Sequence, residues 1–227
     1  MLSDTDCLAL VERGAVRHPL DRALLLAAVA DPGVAWADRP LGVRDACLMG
    51  LRSTWFGPWF DAVLACPACA RLLSLRVDLR GFSERAIDDD APVAVAGARY
   101  RRPTTRDLAA LVGRLDVDDA AALLLQRLVL DVAAALTSEQ RVAVEAALDA
   151  ADPLAHVALD VACEHCNHRF SAPLDIAVSL WDDLAAQAER VIDDVHTLAA
   201  AYGWNETEIL AMPAARRALY KQRVALS

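Results

Sequence analysis

Two pairs of cysteines, far apart in the sequence, are the residues best suited to carry chemistry. Cys66 and Cys69 form the first pair, Cys163 and Cys166 form the second, and each pair has the spacing CxxC. Two such pairs that meet in space place four thiolates around one point, which is the tetrahedral ligand set of a structural zinc ion. The sequence therefore predicts that one Zn²⁺ joins two distant segments of the chain.

Other interpretations of these cysteines are a redox dithiol and remnant cysteines that no longer bind metal. A redox CxxC normally opens a helix whose N-terminus lowers the thiol pKa, whereas the residues after Cys69 alternate in polarity as in a strand. His165 and His168 flank the second pair, and one of them could replace a cysteine ligand, although we expect both to face solvent. Four cysteine ligands leave no open coordination position, so we expect no catalysis at the metal.

The residues around the pairs refine this prediction. The position after the second cysteine favours glycine, which tolerates positive φ, but Ala70 and Asn167 occupy it here. Asn adopts positive φ more readily than Ala, so we expect the first pair to be the weaker one. Cys7 and Cys47 have no partner at metal-binding spacing, and we predict that they are small buried apolar residues.

The composition indicates a mainly helical protein with a substantial core. The 227 residues are 56% hydrophobic but only 5% aromatic, and abundant alanine favours helix over sheet. A net charge of -9 argues against nucleic acid or an anionic membrane as a partner. No apolar run reaches the length of a membrane span, and Met1 to Asp6 lack the features of a signal peptide. We therefore expect a soluble cytoplasmic protein with reduced cysteines.

Apolar periodicity divides the chain into five segments. We expect an N-terminal helical region over residues 1–65, and the first cysteine pair with its strands over 66–102. A helical insertion over 103–153 precedes the second cysteine pair with its strands over 154–176, and C-terminal helices occupy 177–227. The predicted fold is mainly α: a helical bundle with a small zinc-ribbon-like β element split by the helical insertion, and a long C-terminal helix followed by a helix-turn-helix tail.

The predicted helices have apolar residues at steps of three and four and are bounded by Pro, Gly and capping residues. They cover residues 7–17, 19–29, 43–56, 105–115, 118–135, 138–150 and 176–202. Between them, the pattern predicts a short apolar turn from Trp59 to Ala65, a strand from Leu73 to Leu79, a solvated loop at Asp88–Asp90 and a hairpin that turns near Gly97.

No stretch of the sequence predicts an active site. The chain contains no GxSxG, Walker, dinucleotide-binding or HExxH motif. His18, His156 and His196 have no carboxylate or nucleophile at a spacing typical of catalysis, and the acidic residues lie on predicted solvated helix faces. We therefore expect that the protein is not an enzyme.

Several motifs along the chain carry a resemblance to a known family. The most specific part is the pattern Tyr-Gly-Trp, Glu-Ile-Leu, Arg-Arg and Tyr between Tyr202 and Tyr220. The resemblance covers nearly the whole chain and is also carried by the rest of the run Val195–Leu210, Arg22-Ala23-Leu24-Leu25, Leu41-Gly42-Val43-Arg44-Asp45-Ala46, Phe56-Gly57-Pro58 and the two CxxC pairs. The family is that of T-even-phage-like baseplate hub assembly chaperones, or baseplate proteins, of extracellular contractile injection systems.

This resemblance implies a non-catalytic assembly factor or a structural component of the baseplate or hub. It would work in the cytoplasm of the producing cell, with baseplate, hub or spike proteins of a contractile tail-like particle as partners, and incorporation into the particle baseplate is the alternative to a transient role. A zinc-ribbon adaptor in transcription or signalling is the competing interpretation from a different class.

The C-terminal tail has the composition of an interface, because Trp, Tyr and Arg are enriched at binding hot spots. We expect an apolar cluster and a basic face here, and the alternative is that the cluster packs internally and the basic face is solvated. The candidate partner-binding residues are Tyr202, Trp204, Ile209, Leu210, Arg216, Arg217 and Tyr220, with Lys221 and Arg223 adding to the basic face.

Overall fold

The computed structural model describes residues 2–87, 91–131 and 135–226. Their contacts divide the chain into two compact units: a terminal unit of Met1–His18 with Ser179–Ser227, and an internal unit of Pro19–Val178. The prediction of a mainly α fold is confirmed, with small antiparallel sheets among the helices. The loop predicted at Asp88–Asp90 lies outside the described residues.

The internal unit contains five α-helices, the start of a sixth and three β-hairpins within its described residues. The helices are α2 (Pro19–Ala30), α3 (Leu41–Phe56), α4 (Thr105–Leu111), α5 (Val117–Leu128), α6 (Ser138–Ala151) and the first residues of α7 (Ile176–Tyr202). The hairpins pair β1 (Trp59–Ala65) with β2 (Leu72–Asp78), β3 (Val93–Val95) with β4 (Ala98–Tyr100), and β5 (Val157–Ala162) with β6 (Arg169–Leu174).

The segment Trp59–Ala65 is a strand, and the prediction of an apolar turn there was wrong. Its side chains alternate between exposed and half-buried along all seven residues. The half-buried set includes Phe60, Ala62 and Leu64, which gives the period of two that a strand with one packed face requires. Pairing with β2 in full register stabilises this strand, and such distant pairing is not visible in the local sequence.

Two helices of the insertion end earlier than predicted. α4 stops at Leu111, two residues before Gly113 at φ 83°. α5 stops at Leu128 because Val129 has extended backbone and forms an antiparallel bridge to Tyr100. The amide of Arg101 donates to the carbonyl of Leu128 at 2.9 Å, so the backbone at the end of α5 pairs with the backbone that follows β4. Capping boxes begin α4 at Thr104 and α6 at Thr137.

A buried hydrogen bond joins α3 to the end of α6 within the internal unit. The amide of Gly42 donates to Oδ2 of Asp152 at 3.1 Å, and Asp152 is only 2% exposed. Its Oδ1 lies 4.0 Å from the guanidinium of buried Arg102. A Cβ on Gly42 would lie 2.0 Å from that Oδ1 and 3.1 Å from the backbone nitrogen of Ala155. Position 42 therefore accommodates only glycine beside this carboxylate.

We expect Gly42→Ala to lower the free energy of unfolding by about 2–4 kcal/mol, because the methyl group displaces a buried hydrogen-bonded carboxylate. Gly50→Ala is the matched control, since it lies in the same helix and a Cβ there meets nothing within 4 Å. Alanine should stabilise that position by about 0.5–1 kcal/mol. Urea unfolding of both variants measures the difference, and equal effects of the two substitutions would contradict the packing described.

The terminal unit consists of α1 (Asp4–Gly14), most of α7, α8 (Glu206–Leu210) and α9 (Ala214–Val224). α1 begins three residues earlier than predicted because Ser3 caps it by accepting from the amide of Asp6. The Cys7 thiol donates to the carbonyl of Leu184 on α7 at 3.5 Å. Gly203, at φ 70°, ends α7 as predicted. In the described part of the chain, no helix is long and apolar enough to cross a membrane.

Candidate metal centre

Two hairpins of the internal unit carry the cysteine pairs at their turns. β1 and β2 pair from Trp59 opposite Asp78 to Ala65 opposite Leu72, and Cys66 follows directly. β5 and β6 pair to the same point, with Ala162 opposite Arg169 and Cys163 next in the chain. Each CxxC therefore forms the loop at the end of an antiparallel ladder, and the ladder sets its position.

The two loops have the same backbone hydrogen bonds. The amide of Cys66 donates to the carbonyl of Arg71 at 2.9 Å, and the amide of Ala70 donates back to the carbonyl of Cys66 at 2.8 Å. In the second loop, Cys163 donates to His168 and Asn167 donates to Cys163, both at 2.9 Å. This pattern turns both sulfurs of a pair towards the same side of each loop.

The residue after the second cysteine has positive φ in both loops. Ala70 and Asn167 both lie at φ 57°, which is the left-handed conformation expected from the spacing. Asn adopts this conformation with less strain than Ala, because its side chain can bond locally to the backbone. The prediction that the first loop is the less favourable one stays a prediction, since the two loops have the same backbone conformation.

The four sulfur atoms lie within 4.8 Å of one another. Cys66 Sγ is 3.7 Å from Cys166 Sγ, and Cys69 Sγ is 3.7 Å from Cys163 Sγ. A tetrahedron with Zn–S bonds of about 2.3 Å has sulfur–sulfur edges of about 3.8 Å. A disulfide needs an S–S distance of about 2.05 Å. The arrangement therefore fits four thiolate ligands of one metal ion and does not fit disulfides between the loops.

An apolar cluster packs the two hairpins together beneath the sulfurs. Buried Cys66 and Cys163 belong to this cluster with Leu73, Val161 and Ala172, and four half-buried residues pack against it: Leu64, Leu75, Leu159 and Phe170. One face of each hairpin contributes to this packing, as the alternating patterns predict. The small core brings the two loops close enough for their four thiols to meet.

Burial and hydrogen bonding act differently on the thiols. Burial opposes ionisation of Cys163, but backbone N–H groups of His165 and Cys166 donate to its sulfur, so that the net effect lowers the pKa of Cys163 to about 7. A backbone N–H of His168 favours the Cys166 thiolate, yet burial and the neighbouring thiols outweigh it and raise the pKa of Cys166 to about 12. Four thiolates at this separation need a cation to balance their charge.

His165 and His168 lie beside the second loop and are exposed, as predicted. The ring of His168 stacks against the ring of Phe170, with 6.2 Å between their centroids. Among the described residues, the group whose ligand atoms meet at this point consists of the four cysteines. Neither histidine belongs to it.

The other two cysteines lie away from this cluster. Cys7 is buried as predicted, and burial raises the pKa of its thiol, as does the charge of Asp4. Cys47 is half-buried, so the prediction that it is buried was wrong, although partial burial still raises the pKa of its thiol. α3 turns part of the Cys47 side chain towards solvent.

Three aromatic candidates of the C-terminal tail form one cluster in the terminal unit. Tyr202 and Trp204 stack with 4.6 Å between ring centroids. Tyr220 meets both rings edge-on, at 5.6 Å from Tyr202 and 4.9 Å from Trp204. Tyr202 is exposed, whereas Trp204, Tyr220 and Leu210 are half-buried. This aromatic cluster retains accessible surface while it joins the end of α7 to α9.

Two other candidates lie in the interior. Ile209 is fully buried, and the side chain of Arg217 is 3% exposed. Arg217 pairs with Asp4, and its Nε donates to Asp194 at 3.4 Å. Lys221 also pairs with Asp194. The prediction of a basic face was therefore wrong for Arg217 and Lys221, because Asp4 and Asp194 neutralise their charges.

No sequence pattern indicates the acidic partners of Arg217. Asp4 lies 213 residues away in the chain, and Asp194 lies 23 residues away on another helix. Neither spacing corresponds to a local helical pair, for which three or four residues are needed. Arg216, in contrast, is exposed and remains at the surface as the sequence suggests.

Searches of known protein families, of curated proteins and of solved structures found no match to this chain.

Proposed function

We propose that the four cysteines bind one structural Zn²⁺. The sulfur–sulfur distances of 3.7 Å carry this proposal, because they correspond to the edges of a tetrahedral zinc–thiolate site. The paired CxxC loops on two packed hairpins support a zinc-ribbon-like element, which the helical insertion divides. Such an ion stabilises the internal unit by joining segments 100 residues apart, and its closed coordination shell favours a structural role over a catalytic one.

The proposed activity is non-catalytic assembly of the baseplate or hub of a phage-like contractile injection system. The resemblance of the run from Tyr202 to Tyr220 to the hub-chaperone family supports this proposal. In this account the protein works in the cytoplasm of the producing cell, and its partners are baseplate, hub or spike proteins. Permanent incorporation in the baseplate is the alternative that the test below distinguishes.

The proposed docking surface comprises the end of α7, the segment that follows it, and α8 and α9, which are arranged as a helix-turn-helix. Its contact residues are Tyr202, Trp204, Leu210, Arg216 and Tyr220, since Ile209 and Arg217 are buried. Aromatic rings already held against one another lose little conformational entropy on binding, which is favourable for a hot spot. Exposed Arg216 would supply the cationic contact beside them.

The test is a native pull-down of the tagged full-length chain from its own host during particle production, read by mass spectrometry. The purified finished particles are measured in the same way. Tail proteins in the pull-down with this chain absent from particles indicate a chaperone, and its presence in both indicates a baseplate subunit. Absence of tail proteins from the pull-down would overturn the assembly role and favour a zinc-ribbon adaptor, the second candidate that the paired hairpins support.

Variants of the tail sharpen this test. Trp204→Ala combined with Arg216→Glu should reduce recovery of the partner at least tenfold, because it removes an aromatic anchor and reverses a surface charge. Gln222→Ala, at an exposed position of α9, is the control and should leave recovery unchanged. Circular dichroism verifies that both proteins are folded. Full recovery with the double variant would contradict the proposed docking surface.

A further inference from the structure

The helical insertion contains a cavity that the metal centre does not use. Its volume is about 350 Å³, which lies within the range of small-molecule sites. Residues of β4, α5 and α6 contribute to its walls, together with Val129, Ala135 and Leu136. The apolar part of the lining comes mainly from Leu125, Val129 and Leu136, and these side chains pack on the buried cluster around Leu128. The cavity therefore has one apolar wall.

Tyr100 borders this cavity, and its hydroxyl is unsatisfied by the described residues. Its side chain is 1% exposed, and its hydroxyl has no hydrogen-bond partner within the described part of the chain. A buried hydroxyl without a partner is costly, and such groups are rare in folded proteins. Phenylalanine would fill the same apolar space without this cost. The hydroxyl at position 100 thus indicates a partner that the described residues do not supply.

Arg141 on α6 lines the same cavity and is half-buried. The structure records no hydrogen bond or ion pair of its side chain with the described residues. Other arginines in and beside the insertion behave differently: Arg99 pairs with Asp131, and both Arg101 and Arg127 pair with Asp107. In a chain of net charge -9, a half-buried arginine without an acidic partner is a suitable anion-binding group.

We propose that this cavity binds a small organic monoanion, a carboxylate on a short alkyl chain. The alkyl chain would lie on the apolar wall around Leu125 and Val129. The carboxylate would accept hydrogen bonds from the planar guanidinium of Arg141, which matches its geometry. A small movement of the Tyr100 ring would let its hydroxyl bond to the same carboxylate. One arginine balances one negative charge, which favours a monocarboxylate over a phosphate dianion.

Calorimetric titration of the full-length protein with sodium octanoate tests this site. The expected result is saturable binding of one octanoate per chain. Hexanoate should bind about fifteenfold more weakly, because it lacks two methylenes and each buried methylene contributes about fourfold in affinity. Octanol should also bind at least tenfold more weakly, since it lacks the charge that Arg141 recognises.

Variants identify the binding groups. Arg141→Gln should weaken octanoate binding at least tenfold, whereas Arg114→Gln, at an exposed position of the same insertion, should leave it unchanged. Tyr100→Phe should weaken binding several-fold and leave the unbound protein at least as stable as the wild type, because the lost hydroxyl has no partner among the described residues. Absence of octanoate binding, equal binding of octanol, or an unchanged affinity of Arg141→Gln would each overturn the proposal.

Discussion

Replacing Cys163 by serine should lower the free energy of unfolding by about 4–5 kcal/mol in the presence of zinc. Cys163 is buried in the packed hairpins, and loss of one ligand opens the tetrahedral site. The site joins loops 100 residues apart, and a covalent link across a loop of that length stabilises a protein by about 4.7 kcal/mol. Urea unfolding of the variant and the wild type at equal zinc concentration measures the difference.

Two controls separate the metal from the packing. A chelator should reduce the stability of the wild type almost to that of Cys163→Ser and change the variant little, because binding and folding are coupled. Cys47→Ala, at a half-buried thiol outside the cluster, should cost about 1 kcal/mol and keep the response to chelator. If the wild type in chelator were as stable as in zinc, the ion would have no structural role.

Replacing Arg217 by alanine should lower the free energy of unfolding by about 3–5 kcal/mol. Its guanidinium bonds to Asp4 and Asp194, which are 22% and 20% exposed, and also donates to the carbonyl of Met212 at 2.9 Å. Removing one partner from a buried ion pair leaves an uncompensated charge, which costs more than the pair itself contributes. Lys221 still neutralises part of Asp194, so Asp4 is the carboxylate that loses most.

The neighbouring arginine provides the matched comparison. Arg216→Ala removes an exposed side chain of the same helix and should change the stability by less than about 0.5 kcal/mol. Thermal unfolding monitored by circular dichroism compares the two variants. An Arg217→Ala protein as stable as Arg216→Ala would place the guanidinium at the surface, where it could take part in docking as the sequence pattern suggested.

The local sequence predicted the elements that end at strong boundary residues. Pro19, Gly57 and Gly203 lie at helix boundaries, and α7 has the predicted limits because its apolar side chains recur every three or four residues over seven turns. The proximity of Cys66 and Cys163 was also predictable from chemistry, because two CxxC pairs that lie next to strands are typical ligands of one metal ion. These features depend on neighbouring residues or on ligand chemistry.

The features that the sequence did not predict depend on contacts between distant segments. The strand β1 forms because β2 pairs with it, and α5 ends at Leu128 because Val129 forms an antiparallel β-bridge with Tyr100. The burial of Arg217 requires Asp4, which no local rule associates with it. Charge composition alone placed this arginine on a basic surface, because it counts charges without locating their partners.

The direct test of the metal centre is native mass spectrometry of the full-length protein, purified without added metal and without chelator. We expect one Zn²⁺ per wild-type chain, and loss of that ion from a variant in which Cys66 and Cys163 are both serine. A wild-type chain that carries no metal, binds no zinc on titration and is as stable without zinc as with it would contradict the proposed metal centre.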